Sequence, residues 1–171
     1  MREYNEVKRV CGFYVSNIHF VTMILPYLNK QIGNRIKIDT FFEYDLSKNI
    51  KTVLEKINLN EIEKQEIKKI NWKNTKKSDI EKNIETNVNN KSELIILING
   101  NENYMEEINE KIDKYLEDNN INNKSITIIN CYEVSETNNV KEIIDKHKYL
   151  INTLGIKKIE EVFGGYSKIA N

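Results

Sequence analysis

Apolar residues along this chain gather in short blocks rich in valine, isoleucine and aromatics. After most blocks they recur at every third or fourth position, an alternation expected of repeated βαβ units around a mostly parallel sheet. The first strand is expected over residues 7–15. Phe20, Val21, Ile24, Leu25 and Leu28 then share one helical face, with Ser16 or Asn17 as the cap, Pro26 inside and Gly33 just past the end. A second strand covers 36–44, and a helix from about Leu46 carries Ile50, Val53, Leu54 and Ile57, capped by Asp45 or Ser47. A third, weaker strand is expected over 67–72, followed by a polar helix near 78–86.

The fourth strand, 94–98, is an unbroken apolar run of the kind buried on both faces, and Asn99-Gly100-Asn101 turns the chain after it. Its helix carries Tyr104, Ile108, Ile112, Tyr115 and Leu116. The fifth strand spans 125–134. Two helical segments, 140–154 and 157–169, are parted by Gly155 and close the fold. The pattern therefore predicts one α/β domain over residues 1–171. It has three αβα layers, a mostly parallel five-stranded sheet and closing C-terminal helices from about residue 140.

Length supports that reading, because 171 residues in one domain bury roughly 70% of the surface of the unfolded chain. Charge narrows the partners. The 26 basic and 26 acidic residues cancel, so no broad basic field gathers nucleic acid or anionic lipid. The apolar runs fall far short of a membrane span and the first residues lack a secretory core, which points to the cytoplasm. Cys11 and Cys131 sit in apolar strand-like runs and read as buried, reduced thiols.

Chemistry in an open parallel sheet gathers beyond the carboxyl ends of the strands, where loops meet helix N-termini. That rule selects Tyr14, Asn17 and His19 after the first strand, Glu43 after the second and Trp72 after the third. Asn99 follows from the fourth, and Tyr132 and Glu133 from the fifth. These eight are the candidate ligand-lining residues, with Tyr14 and Tyr132 expected to bracket the pocket; no catalytic residue is assigned. The same residue types also cap helices and hold turns.

Two phosphate motifs are missing. The turn after the first strand reads Val15-Ser16-Asn17-Ile18-His19, without the glycines and lysine of a phosphate loop or the three glycines of a dinucleotide site. No cofactor is therefore expected. His19 and His147 belong to no dense ligand motif, so no metal is expected either. Lysines 68, 69, 73, 76 and 77 surround Trp72 in a pattern that could hold single-stranded nucleic acid, but nearby acidic residues and the zero net charge argue against it.

Two stretches together resemble a known family. Val10-Cys11-Gly12-Phe13-Tyr14-Val15-Ser16, with the later Ile24-Leu25-Pro26-Tyr27-Leu28, is similar to the start of the sensory domain of methanogens and methylotrophs (MEDS), named for a dichloromethane-responsive regulator. Ile129-Asn130-Cys131-Tyr132-Glu133-Val134, with a following helix that carries His147, resembles that family's later strand and helix. Lys148 stands where the family has a proline after the histidine. The resemblance implies a RecA- or Rossmann-like fold that has lost its phosphate loop and serves signal transduction.

The leading expectation is a sensory or regulatory domain that binds a small ligand without catalysis and acts through a separate partner. Two alternatives stand beside it. One is a small enzyme using His19 with Glu43 or Asp45 as acid and base. The other is an interaction adaptor, or homodimer, whose C-terminal segment presents Ile159, Val162, Phe163 and Tyr166.

Overall fold

The computed structural model describes residues 7–88, 93–119 and 126–163. Six strands form one sheet: β1 Lys8–Tyr14, β2 Lys37–Phe42, β3 Leu94–Gly100, β4 Ile126–Glu133, β5 Tyr149–Asn152 and β6 Gly155–Lys158. Their order is β2-β3-β4-β1-β5-β6, parallel throughout except for the antiparallel β5–β6 hairpin. Around the sheet lie α1 Asn17–Gly33, α2 Ser47–Lys56, α3 Glu61–Lys68, α4 Ile80–Val88, α5 Glu102–Asp118 and α6 Val140–Asp145.

Two hydrophobic cores divide the molecule into three αβα layers. On one face, Phe20, Ile24 and Leu28 of α1, Val53 and Leu54 of α2 and Ile67 of α3 pack on Val10, Ile95, Leu97 and Ile129. On the other, Ile84 of α4 and Ile108 and Ile112 of α5 pack on Cys11, Ile96, Ile98 and Ile128, with Ile143 of α6 against them. Central β3 is buried along its whole length, which is why its sequence is apolar without alternation.

The expected three layers and parallel sheet are present, but two segments differ from the sequence reading. Residues 67–72 are not a strand. α3 occupies 61–68, started by a capping box in which Asn60 Oδ1 accepts from the Glu63 amide (2.8 Å) and Glu63 Oε1 accepts from the Asn60 amide (3.3 Å). The chain after α3 then runs along the free edge of β2. Thr75 N–H donates to Phe42 O (2.8 Å) and Thr40 Oγ1 to Asn71 O (2.5 Å). An edge strand is thereby covered.

The second difference lies at the C-terminal end. The helix at 140 stops at Asp145, and 149–158 form the β5–β6 hairpin, so the sheet has six strands rather than five. Gly155 makes its turn at φ +105, a conformation that costs glycine least. The rest of the helix expected over 157–169, beyond residue 163, lies outside the described residues, as does Tyr166.

Candidate functional site at the carboxyl ends of the strands

The layers decide where this sheet can hold a ligand. β1 feeds α1 on one face, while its neighbour β4 feeds α6 on the other. A crevice opens where adjacent strands send their connections to opposite faces. The same divergence recurs between β2, which leads to α2, and β3, which leads to α5. Both gaps fall at the strand ends where the sequence placed its candidates.

The β2–β3 gap is closed by the protein itself. Glu43 Oε2 accepts from the Asn101 backbone amide (2.7 Å) and Oε1 from Asn101 Nδ2 (3.0 Å), while Asn101 Oδ1 caps α5 by accepting from Tyr104 N–H (2.9 Å). Gly100 makes this possible, since a Cβ there would stand 2.7 Å from Glu43 Oε2 and 2.6 Å from Tyr104 Cδ1. Tyr104 in turn donates its hydroxyl proton to Thr75 O (3.4 Å).

At the β1–β4 gap, Tyr14 is buried and its hydroxyl donates to Oδ1 of buried Asn99, reaching over Cys131 on the strand between them. Burial, with Cys131 and Glu133 beside it, pushes the Tyr14 hydroxyl well above the ordinary tyrosine range. The β1–α1 connection is only Val15 and Ser16. Ser16 Oγ accepts from the His19 amide (3.1 Å), and the Val15 amide donates to His19 Nδ1 (3.0 Å). With Nδ1 occupied as an acceptor, Nε2 is the ring nitrogen of His19 left to meet another molecule. Two amides at this helix start, those of Val15 and His19, thus already have side-chain partners within the turn itself.

The eight candidates do not all converge. Tyr14, His19, Glu43, Asn99 and Glu133 stand along the strand-end rim, with Asn17 as the half-buried first residue of α1. Tyr14 and Tyr132 do not bracket one space: their side chains join opposite cores, and Tyr132 stacks on Phe13 at 5.9 Å between ring centroids. Trp72 is 4% exposed, stacks on Phe42 at 5.8 Å and donates Nε1–H to Ile67 O (2.9 Å), so its ring serves the core and cannot stack on a base. The alternating side chains of a strand separate Tyr14 from Tyr132, since residues that follow odd and even positions meet opposite layers.

The strand-end rule also selects Tyr44 after β2, whereas it passes over Val15, Ile18 and Val134; the fold leaves all four exposed on the same rim. No family model, curated protein or solved structure matches this chain. Its reading therefore rests on its own geometry. His19 and Glu43 share no hydrogen bond, and Asp45, placed to work with His19, instead accepts from the Ser47 amide (2.8 Å) at the start of α2. Ser47 holds the Asp45 carboxyl below its usual range. Among the described residues no three histidine, cysteine or carboxylate side chains gather as metal ligands.

Three cavities lie away from the β1–β4 gap. One of about 270 Å³ is set between α4 and α5 and includes Lys111 and Tyr115. Another of about 370 Å³ is lined by His147, Tyr149 and Lys158. The third, about 210 Å³, lies beside Trp72 and Ile50. His147 donates from Nδ1 to Ile143 O (2.6 Å), a bond that favours the charged ring, but burial first, with Arg9 and Lys146, outweighs it and holds the pKa below the ordinary value.

Proposed function

We propose that this chain is a sensory or regulatory domain that works by binding, without catalysis, and passes its signal to a separate partner. The observation that carries the reading is the two-residue β1–α1 connection. In a nucleotide-binding relative of this architecture that turn must wrap a phosphate with free amides and a cation. Here the turn has neither the glycines nor the lysine for that, the Val15 and His19 amides are taken by His19 Nδ1 and Ser16 Oγ, and Glu133 lies in register with Tyr14 on the neighbouring strand end. A carboxylate at that point repels the charge that a phosphate loop exists to attract.

The other polar groups of the rim support the same conclusion. Tyr14 is engaged with Asn99 and Glu43 with Asn101, and no buried side-chain nitrogen or oxygen among the described residues lacks a hydrogen-bond partner. An acid–base pair needs a donor and an acceptor poised for a substrate rather than spent on the scaffold. His19 Nε2 and the exposed Tyr44 ring remain available for contact with a bound molecule.

A thermal-shift screen of metabolites tests the reading. Compounds that stabilise the chain are expected to be recovered chemically unchanged, and their effect to weaken in His19→Ala and Tyr44→Ala. Conversion of a stabilising compound at a rate that falls in those variants would sink the proposal. Tyr14 is a poor probe, because its ring packs 5.1 Å from Phe20 and its loss would loosen the core.

A further inference from the structure

Four of the seven large apolar side chains exposed among the described residues stand on the one rim just described: Val15 (68% exposed), Ile18 (42%), Tyr44 (52%) and Val134 (45%). Val15 and Val134 directly follow Tyr14 and Glu133, which pair in register on β1 and β4, so the two valines flank the gap between those strands. Ile18 lies on the first turn of α1, and Tyr44 follows β2. Apolar side chains grouped in this way at a functional edge mark a contact surface rather than ordinary scatter.

The charges that act on Tyr44 are carboxylates, while Lys48 and Lys73 stand beside its neighbour Asp45. Glu43, Glu133 and Glu136 form no ion pair among the described residues. All three lie close enough to Tyr44 to hold its hydroxyl above the usual range, Glu43 most strongly. An apolar centre inside an acidic border complements a basic, apolar segment and repels phosphate-bearing partners. It also disfavours a two-fold dimer through the same rim, because the same patch would face itself and bring its acidic border against that of the second copy.

We propose that this rim docks a partner protein through a segment in which lysine or arginine flanks large apolar side chains. The proposal rests on the reading that the chain acts by binding and signals through a partner. The apolar residues would cover Val15, Ile18, Val134 and the Tyr44 ring, and the cations would meet Glu43, Glu133 and Glu136.

The test titrates the isotope-labelled chain with a short synthetic peptide of leucine, phenylalanine and lysine, and with the same peptide carrying glutamate for lysine. Amide shifts confined to Val15, Ile18, Tyr44 and Val134 are expected for the lysine peptide alone. Affinity should fall about tenfold or more in Glu136→Lys, and again in Tyr44→Ser with Val134→Ser, at unchanged melting temperature because these side chains are exposed. Absence of rim shifts, equal binding of the glutamate peptide, or concentration-dependent self-association abolished by the same substitutions would each overturn the proposal. Turnover of a bound metabolite would remove the non-catalytic reading without altering these shifts; their absence removes the docking surface alone.

Discussion

Small residues decide what the strand ends can hold. Gly100 gives Glu43 the room to grip Asn101, and a methyl group there would displace either that carboxylate or the Tyr104 ring. Gly100→Ala is expected to cost about 1–3 kcal/mol by overpacking, read by urea unfolding. Gly33→Ala serves as the comparison, because a Cβ at Gly33 meets nothing within 4 Å and this position ends α1. It should be neutral or stabilise by about 0.5–1 kcal/mol. Equal loss at both glycines would contradict the contact described at Gly100.

Asp39 is the residue whose burial the chain carries at a cost. Desolvation raises its pKa to about 6, although the Asn87 amide, the Thr40 N–H and Lys37 all favour the charged form. The folded state therefore holds its proton more tightly than the unfolded chain. Its contribution is fully present below the unfolded value near 3.8 and is lost as pH rises through about 6. The difference in stability between the parent and Asp39→Asn should shift against the parent by on the order of 2–3 kcal/mol across that window. Urea titrations at successive pH values measure it. A difference that stays flat, or that moves in the parent's favour, would contradict the buried carboxyl.

At the scale of elements, the strands most legible in the sequence were those buried on both faces. β3 and β4 read correctly because a buried parallel strand needs continuous apolar side chains, and the start of α1 followed from Ser16 as its cap. The stretch 67–72 misled because Ile67, Ile70 and Trp72 mimic a strand, whereas Ile67 faces the core from the last turn of α3. The signal that could have found that helix was Asn60 three residues before Glu63, a capping box that outweighs a short apolar run. The β5–β6 hairpin escaped because its four-residue strands place Leu150, Ile151 and Leu154 at spacings that also suit a helix. Long-range pairing with β1, invisible in a local pattern, decided the matter.

Adjacent strands also decide the fate of the two thiols. Cys11 on β1 and Cys131 on β4 are neighbours along the sheet, yet Gly12 is the residue opposite Cys131, and the two sulfurs join opposite cores. Desolvation pushes the Cys11 thiol up to about 12 and holds Cys131 higher still, which leaves almost no thiolate to react. Both should label only as fast as the domain opens, and mild oxidation should leave no bridge between them. Rapid labelling of either thiol in the folded chain, or a Cys11–Cys131 disulfide, would contradict this arrangement.

For the whole molecule, no helix among the described residues is long and apolar enough to cross a membrane. The sheet rule located the rim from sequence, but not which side chains would share a face or be spent on one another. Tyr14 and Tyr132 look equivalent as strand-end aromatics and differ only through register, which three-dimensional pairing sets. Exposed Val15 and Val134 looked like ordinary strand residues until both proved to lie past the ends of β1 and β4. The proposed function requires that this α/β rim hold no phosphate site. Calorimetry with magnesium-ATP tests it most directly. No heat of binding is expected up to millimolar nucleotide; micromolar, magnesium-dependent binding that weakens in Ser16→Ala or His19→Ala would contradict that requirement.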